Sequence, residues 1–219
     1  MITVRITLYR SAFHGLRDTG EPDWPPSPKR LLGALLAGTY TLDLDDPARA
    51  LALGTLHRLA ATRPPIIDVP RALPLGLPAT YAPKTWLPEK KNVTAIEGYL
   101  DLSILGMNTA NRALKHQDGV DLAGKEIEFH IDLECNPDEI GALNAAASQL
   151  AYFGTAKDAA DITVSVNVEA DSVGPCDTTD SPSGVCERWY PSSNYGGDTQ
   201  GWQENTIEWY EANYQRVFG

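Results

Sequence analysis

Residues 23–38 read DWPPSPKRLLGALLAG, and this stretch predicts a stiff extended approach followed by a helix. Pro25 and Pro26 fix φ and hold the chain extended. Ser27 is a favourable N-cap residue, and Pro28 suits the first helical position, where no N–H donor is needed. The leucines that follow fall on one face of the helix and predict a stripe that is buried in a core.

Two cations, Lys29 and Arg30, occupy the first turn of this predicted helix, where the helix dipole disfavours positive charge. A helix start with free N–H groups and two added cations is typical of an anion site. We therefore predict anion binding at Ser27, Lys29 and Arg30. The competing interpretation is that both cationic side chains simply point into water.

Charge is divided unevenly along the 219 residues. Residues 1–117 carry a net charge of +4 and residues 118–219 carry −15, which together give the total of −11. Such asymmetry suggests one surface for an anionic partner and another that repels it, although an acidic half can also serve solubility alone. Three cysteines, no N-terminal signal and no long apolar run predict a cytoplasmic protein with no membrane partner.

The periodicity of apolar residues predicts a mixed α+β fold. Alternation indicates strands, helical spacing after a capping residue and a proline indicates helices, and Gly154 is expected to end the third helix. This order favours a ferredoxin-like (RRM-like) antiparallel sheet with helices on one face. The predicted strands lie at residues 2–10, 126–132 and 162–168, and the predicted helices begin at residues 28, 47 and 137.

Residues 64–125 form a long, proline-rich insertion of low regularity, of the kind that is usually functional or disordered. We expect the second strand of the sheet within it, a short strand at residues 99–105 and a helical turn at residues 108–116. Residues 170–201 read as loop or disorder. The aromatic segment 202–217 has helical spacing and is expected to return to the core, to dock on a partner or to begin another domain.

No established catalytic or phosphate-binding motif is present, and the spacing of the cysteines and histidines does not favour a metal site. Basic residues instead alternate with aromatic residues on predicted loops, the pattern by which proteins hold single-stranded nucleic acid. His14 lies in such a loop and is either a stacking or capping residue or a general base for RNA cleavage, with Lys29 or Tyr9 nearby. The candidate RNA-binding residues are Phe13, His14, Arg17, Trp24, Ser27, Lys29, Arg30, Lys84, Trp86, Lys90, Lys91, Arg112 and Lys115.

The stretch at residues 23–37 resembles the signature of one CRISPR-associated family, the fused Cas-five/Cas-six subunit of type I-G (formerly I-U) effector complexes, which reads approximately EWPPSPWRLLRAL. Phe13-His14 resembles the aromatic–histidine pair of that family, and residues 151–158 are a weaker echo of its turn after the second helix. Thr155 and Ala12 replace arginines of the family pattern. The resemblance covers residues 1–170, the Cas-five half.

The resemblance implies a ferredoxin-like domain at residues 1–170 with a thumb inserted at about 70–125. Residues 171–219 would be an acidic linker and a junction to a Cas-six-type nuclease domain. It also implies a non-catalytic subunit of a Cascade complex. This subunit would bind the 5′ handle of the guide RNA (crRNA), touch the Cas-seven-like backbone subunit and the large subunit, and meet target DNA only indirectly. No cofactor is expected.

Two alternatives stay open at this stage. The first is a metal-independent endoribonuclease that processes precursor guide RNA, with His14 as its base. The second is a protein-only scaffold that uses the acidic half of the chain. Outward side chains of the 126–132 strand are acidic, so we do not expect RNA on the open face of the sheet.

Overall fold

The computed structural model describes residues 1–17, 20–75, 80–83, 112–115, 119–166, 186–191 and 206–218. Compact packing divides the chain into two units, one formed by residues 1–74 with 119–219 and the other by residues 75–118. In chain order the elements are β1 (Ile2–Leu8), β2 (Ala12–Phe13), α1 (Pro28–Thr41), α2 (Pro47–Ala60), β3 (Ile66–Pro70), β4 (Ala72–Pro74), β5 (Thr80–Pro83), β6 (Arg112–Lys115), β7 (Val120–Leu122), β8 (Glu126–Ile131), α3 (Pro137–Ala147), β9 (Ala160–Val166), β10 (Cys186–Trp189) and α4 (Thr206–Phe218).

The first unit is an α+β structure built on a five-stranded sheet in the order β10-β3-β8-β1-β9. Every neighbouring pair in this sheet is antiparallel. A second sheet of three short strands has the order β2-β7-β4. None of the described helices is long and apolar enough to cross a membrane.

Alternation along β1 decides which side of the large sheet faces the core. Ile2, Val4 and Ile6 are fully buried, and each lies directly opposite an apolar residue of β8 in the strand register. The leucine stripe of α1 and apolar residues of α2 and α3 belong to the same buried cluster. Because successive strand residues point to opposite sides, Thr3 and Arg5 lie on the other face with polar residues of the neighbouring strands.

The three predicted helix starts are confirmed. Ser27, Asp46 and Asn136 are the N-caps of α1, α2 and α3, each side chain accepts a backbone N–H bond, and a proline follows each cap. At α3 the cap is reciprocal, because the Glu139 side chain also accepts from the Asn136 backbone. The signal sits within four residues in each case, which is why it can be read directly from the sequence.

The third helix ends earlier than predicted. It stops at Ala147, and Leu150 and Ala151 lie in the turn that follows instead of on the helix. The Ser148 hydroxyl donates a bond to the Ala145 carbonyl, a local contact that competes with further helix formation. α3 packs closely on α1, since a Cβ at Gly38 would lie 2.2 Å from the Ala146 carbonyl oxygen.

Two local predictions are wrong. Arg112–Lys115 is a strand, β6, that pairs with β5, although a helical turn was predicted at residues 108–116. Cys186–Trp189 is also a strand, β10, although a loop was predicted at residues 170–201. Both pairings are made with residues distant in the chain, so local composition gave no sign of them. The strand predicted at residues 99–105 lies outside the described residues.

The region between α2 and β8 contributes β3, which pairs with both β8 and β10. The described part of the second unit is residue 75 and the antiparallel strand pair β5-β6. At the end of the chain, α4 returns to the first unit, where Ile207 is fully buried and the helix contacts α1 and α2. Of the three alternatives for the aromatic segment, the structure shows return to the core.

Candidate functional site

A cleft of about 750 Å³ lies in the first unit beside α1. Its walls come from the loop before α1, the exposed face of α1, the turn after α3 and the first turns of α4. A site of this size falls within the roughly 300–1,000 Å³ that is typical of small-ligand pockets. Five charged or capping residues line it: Arg17, Asp23, Ser27, Lys29 and Arg30.

Asp23 is the anchor of this region and is only 1% exposed. Its Oδ2 accepts a bond of 2.7 Å from Arg30 Nε and one of 3.1 Å from the Ser27 hydroxyl. Arg17 Nε lies 3.6 Å from Oδ1, which is an ion-pair distance and too long for a hydrogen bond. The stretch between β2 and α1 thus supplies a buried anion of its own.

This carboxylate revises the prediction of an open anion site at the start of α1. The Ser27 hydroxyl is occupied, since it donates to Asp23 and accepts from the Arg30 backbone N–H. Arg30 also donates from Nη2 to the Leu16 carbonyl oxygen at 2.8 Å. Ser27 and Arg30 therefore hold the loop onto the helix, and the anion that they bind is Asp23.

Lys29 takes a different position from Arg30 and lies against α4. Its Nζ is 4.1 Å from the centroid of the Trp209 ring, a cation–π distance, and its carbonyl oxygen accepts a bond of 3.0 Å from the Tyr210 hydroxyl. Further along α1, the Tyr40 hydroxyl donates to the Glu211 carboxylate of α4. Burial, together with that bond, raises the pKa of Tyr40 to about 12.

The aromatic residues of the loop are packing residues. Phe13 is fully buried, and its ring centroid lies 5.6 Å from that of Trp24 and 6.2 Å from that of Phe153. Trp24 is half-buried and packs against the same core. Phe13 thus has no exposed face for a base to stack on, and the aromatic ring that does face the cleft with Lys29 is Trp209, which our sequence analysis missed as a site residue.

His14 is held by a buried carboxylate that we also did not predict. Asp158 is 2% exposed, and its Oδ1 lies 2.8 Å from both the backbone N and Nδ1 of His14. Its Oδ2 accepts from the backbone N–H and the hydroxyl of Thr155. Gly154 has φ +121°, and a Cβ there would lie 2.6 Å from Asp158 Oδ2. The Gly-Thr-x-x-Asp spacing is the sequence signal for this turn.

The other predicted RNA-binding residues are not brought to the cleft by the described structure. Lys84, Trp86, Lys90 and Lys91 lie outside the described residues. Arg112 and Lys115 are the ends of strand β6 in the second unit. The structure therefore brings together, of the predicted set, Phe13, Arg17, Trp24, Ser27, Lys29 and Arg30 around the loop before α1, with His14 next to Phe13 on that loop.

A second polar network occupies the face of the large sheet away from the core. Asp68 accepts from Arg188 Nε at 2.6 Å, and its Oδ2 lies 3.0 Å from His130 Nε2. His130 Nδ1 in turn lies 3.1 Å from the Thr3 hydroxyl. Burial by itself raises the pKa of Asp68, but the bonds from Arg188 and His130 outweigh it and lower the pKa to about 2.

Donor atoms of Asp68, Glu128 and His130 lie within 4.8 Å of one another, a grouping that could hold a metal ion. The contacts already made within this group argue for a structural role, because a cation there would compete with Arg188 for Asp68 and with Thr3 for the imidazole. Sequence reasoning missed this network. Its one local signal is Asp68 itself, an acid in an otherwise apolar strand.

No protein-family model and no curated protein matches this sequence. The geometry and charge of the described residues, together with the sequence resemblance, are the indications of function.

Proposed function

We propose that this chain is a non-catalytic, single-stranded-RNA-binding subunit of a type I CRISPR effector complex. The single observation that carries the proposal is the charge of the cleft beside α1. Among the described residues, three cations line this cleft with only one carboxylate, Asp23; the cations are Arg17, Lys29 and Arg30. The surplus of positive charge favours an anionic partner. The half-exposed Trp209 ring adjoining Lys29 suits the combination of cations and rings that single-stranded RNA prefers.

The order of elements in the first unit supports a ferredoxin-like fold of the Cas-five kind. Strands β1, β3, β8 and β9, taken with α1 and α3, follow the chain order β-α-β-β-α-β, with α2 added before β3. In the sheet these four strands lie in the order β3-β8-β1-β9, with β10 added at one edge. The second unit, residues 75–118, falls within the range proposed for the thumb.

In this proposal the RNA is the 5′ handle of the guide RNA, and the chain works in the cytoplasm. Outside the cleft, the acidic residues of the C-terminal half face the protein partners, the Cas-seven-like backbone subunit and the large subunit, because the net charge of −15 over residues 118–219 disfavours nucleic acid there. Target DNA is then met only through the assembled complex.

The proposal is tested by fluorescence anisotropy with a labelled single-stranded RNA that carries the repeat-derived 5′ handle. We expect binding that weakens by about tenfold or more between 50 and 200 mM salt, because several phosphate contacts release counterions. A duplex DNA of equal length serves as the control and is expected to bind less tightly. Absence of RNA binding at 50 mM salt, or binding that salt does not change, would contradict the proposal.

The His14–Asp158 pair favours a second candidate function, the metal-independent endoribonuclease. A carboxylate that holds one imidazole nitrogen orients the other towards a substrate, as in catalytic histidine sites. The residues expected to assist His14, Tyr9 and Lys29, make other contacts. The Tyr9 hydroxyl donates to Asp161, and the Lys29 ammonium lies over Trp209. This separation is why we place RNA binding without cleavage first.

The two functions are separated by incubating the protein with repeat RNA in the presence of EDTA. A specific cut that is lost in His14→Ala and kept in His57→Ala would establish the nuclease. His57 is the matched control because it is an exposed histidine of α2. We expect no specific cut from the wild-type protein or from either variant.

A further inference from the structure

Two large aromatic side chains stand half-exposed at the cleft beside α1. Trp209 is 51% exposed and Tyr152 is 50% exposed, and both line the cleft. They come from separate parts of the chain, Trp209 from α4 and Tyr152 from the turn after α3. Exposed rings at the edge of a concave site offer flat apolar surface to a ligand that is itself flat.

The α1 side of the cleft is lined by small residues, which keeps the space open. Gly33, Ala34 and Ala37 face it. Gly33 leaves room for α4, because a Cβ at this position would lie 2.8 Å from the Tyr210 hydroxyl oxygen and the tyrosine side chain would have to shift. The cleft is therefore shaped in part by the docking of α4 on α1, and Trp209 lines it only while α4 is docked.

The three cations at the cleft differ in how firmly neighbouring residues hold their side chains. Arg30 is held by hydrogen bonds to Asp23 and to the Leu16 carbonyl. The Arg17 side chain is 37% exposed, and its buried Nε makes no hydrogen bond to any described residue, only the 3.6 Å ion pair with Asp23. Lys29 is held by the face of the Trp209 ring in a cation–π contact. Arg17 and Lys29 are the two cations that can turn to an incoming anion.

We infer that this cleft receives one nucleotide of the bound single-stranded RNA. Its base packs on Trp209 and Tyr152, and its phosphate is bound by Lys29 and Arg17. A nucleotide joins a flat aromatic base to a phosphate, so a single ligand can contact both the exposed rings and the cations Arg17 and Lys29. An acidic peptide would need two separate side chains to make the same contacts. The inference rests on the proposed function and adds a defined subsite for one base.

The test measures affinity for labelled single-stranded RNA in the full chain and its variants. Trp209→Ala is expected to weaken binding by about 5- to 100-fold, the range seen for loss of one base–aromatic stack. Trp209→Phe keeps a ring and is expected to restore most of the affinity. Trp189→Ala is the matched control, because Trp189 is 47% exposed but lies on strand β10 at the edge of the large sheet. We expect it to bind as the wild type does.

A second measurement does not depend on folding of a variant. The wild-type protein is bound to RNA that contains 5-bromouridine, irradiated, digested and analysed by mass spectrometry. We expect a crosslink on Trp209 or Tyr152, and we expect free uridine monophosphate, but not inorganic phosphate, to reduce it.

The outcomes separate this inference from the proposed function. Wild-type RNA binding with unchanged affinity in Trp209→Ala and crosslinks elsewhere would overturn the nucleotide subsite and leave RNA binding intact. Absence of RNA binding by the wild type would overturn both. Preferential binding of a synthetic acidic peptide that contains tyrosine, with no crosslink to RNA at the cleft, would also overturn the subsite in favour of a protein partner.

Discussion

Asp23 and Asp68 are both buried and both paired with arginine, but the surfaces around them carry opposite charge. Asp23 lies in the wall of the cleft beside α1, where Arg17, Lys29 and Arg30 outnumber it. Asp68 lies on the open face of the large sheet with Glu128, which faces it across the strand pair β3-β8. Two further acids, Glu126 and Asp161, continue that face, where Arg5 and Arg188 are the described cations.

A buried Asp–Arg pair therefore does not by itself identify a ligand site. Both pairs fix backbone segments, a loop onto α1 in one case and β10 onto β3 in the other. What distinguishes the two surfaces is the charge that remains after the internal pairs are formed. That remainder is positive at the cleft and negative on the sheet, so of these two surfaces the cleft is the one where we expect an anionic partner.

The largest expected effect comes from removing the internal anion of the cleft. Asp23→Ala leaves the partly buried Arg30 without its counter-charge and Ser27 without its acceptor, and it should lower the free energy of unfolding by about 3 kcal/mol. Urea unfolding followed by circular dichroism measures this. Asp161→Ala is the control, because Asp161 is an exposed acid with one hydrogen bond, and it should cost less than about 1 kcal/mol. Equal losses in the two variants would show that Asp23 is not an anchor.

The next effect concerns acid stability on the sheet side. The pKa of Asp68 is lowered to about 2 from an ordinary value of 3.8, so its ionised form stabilises the fold above about pH 4. This contribution, at most about 2 kcal/mol, should be lost as pH falls towards 2. Asp68→Asn should therefore flatten the dependence of unfolding free energy on pH between 4 and 2. A variant that shows the wild-type slope would mean that other carboxyls govern acid unfolding.

A third prediction sharpens the charge difference between the two surfaces. Lys29→Glu should weaken single-stranded RNA binding by about tenfold, because it reverses a cation at the cleft that only the weak contact with the Trp209 ring holds among the described residues. Lys125→Glu makes the same change at an exposed position in the turn before β8 and should alter affinity by less than about twofold. Arg30→Glu is unsuitable for this purpose, since it would place a second carboxylate against Asp23 and disturb the loop. Similar losses in the two lysine variants would indicate a non-specific electrostatic effect.

The smallest effect is expected on the open face of the sheet. Arg5 is 54% exposed and donates to Glu128 at 2.7 Å. Such exposed pairs contribute about 0–1 kcal/mol, so Arg5→Ala should leave stability within that range and RNA affinity unchanged. A clear loss of RNA affinity in this variant would move the RNA onto the sheet face and reverse the comparison.

Local signals in the sequence correctly predicted three helix starts and two central strands. The cap-and-proline pattern at Ser27, Asp46 and Asn136 marks a helix start within a few residues, and all three helices begin there. The alternation of residues 2–8 and 126–131 likewise predicted two central strands of the sheet. Strand β10 gave no such signal, because it has four residues in a polar segment and its pairing with β3 spans more than 100 residues.

The candidate site was predicted only in part, for the same reason. Arg17, Lys29 and Arg30 were identified because they stand close to the helix start in the chain. The contacts that hold Arg30 and Lys29 are made with Asp23 Oδ2 and with Trp209 of α4. Neither contact could be derived from the spacing of residues in the sequence. The Asp158 carboxylate that holds His14 lies 144 residues away from it along the chain.

The sequence by itself was enough to predict where α1, α2 and α3 start and which residues of β1 and β8 are buried. It also shows that the first half of the chain carries a net positive charge. Each of these properties is set by residues a few positions apart. The tertiary structure alone decided that Asp23 fills the anion site of α1, that Phe13 is a core residue, and that Trp209 is the ring beside Lys29. Those outcomes depend on contacts between distant segments, which form only when burial of the common core brings the segments together.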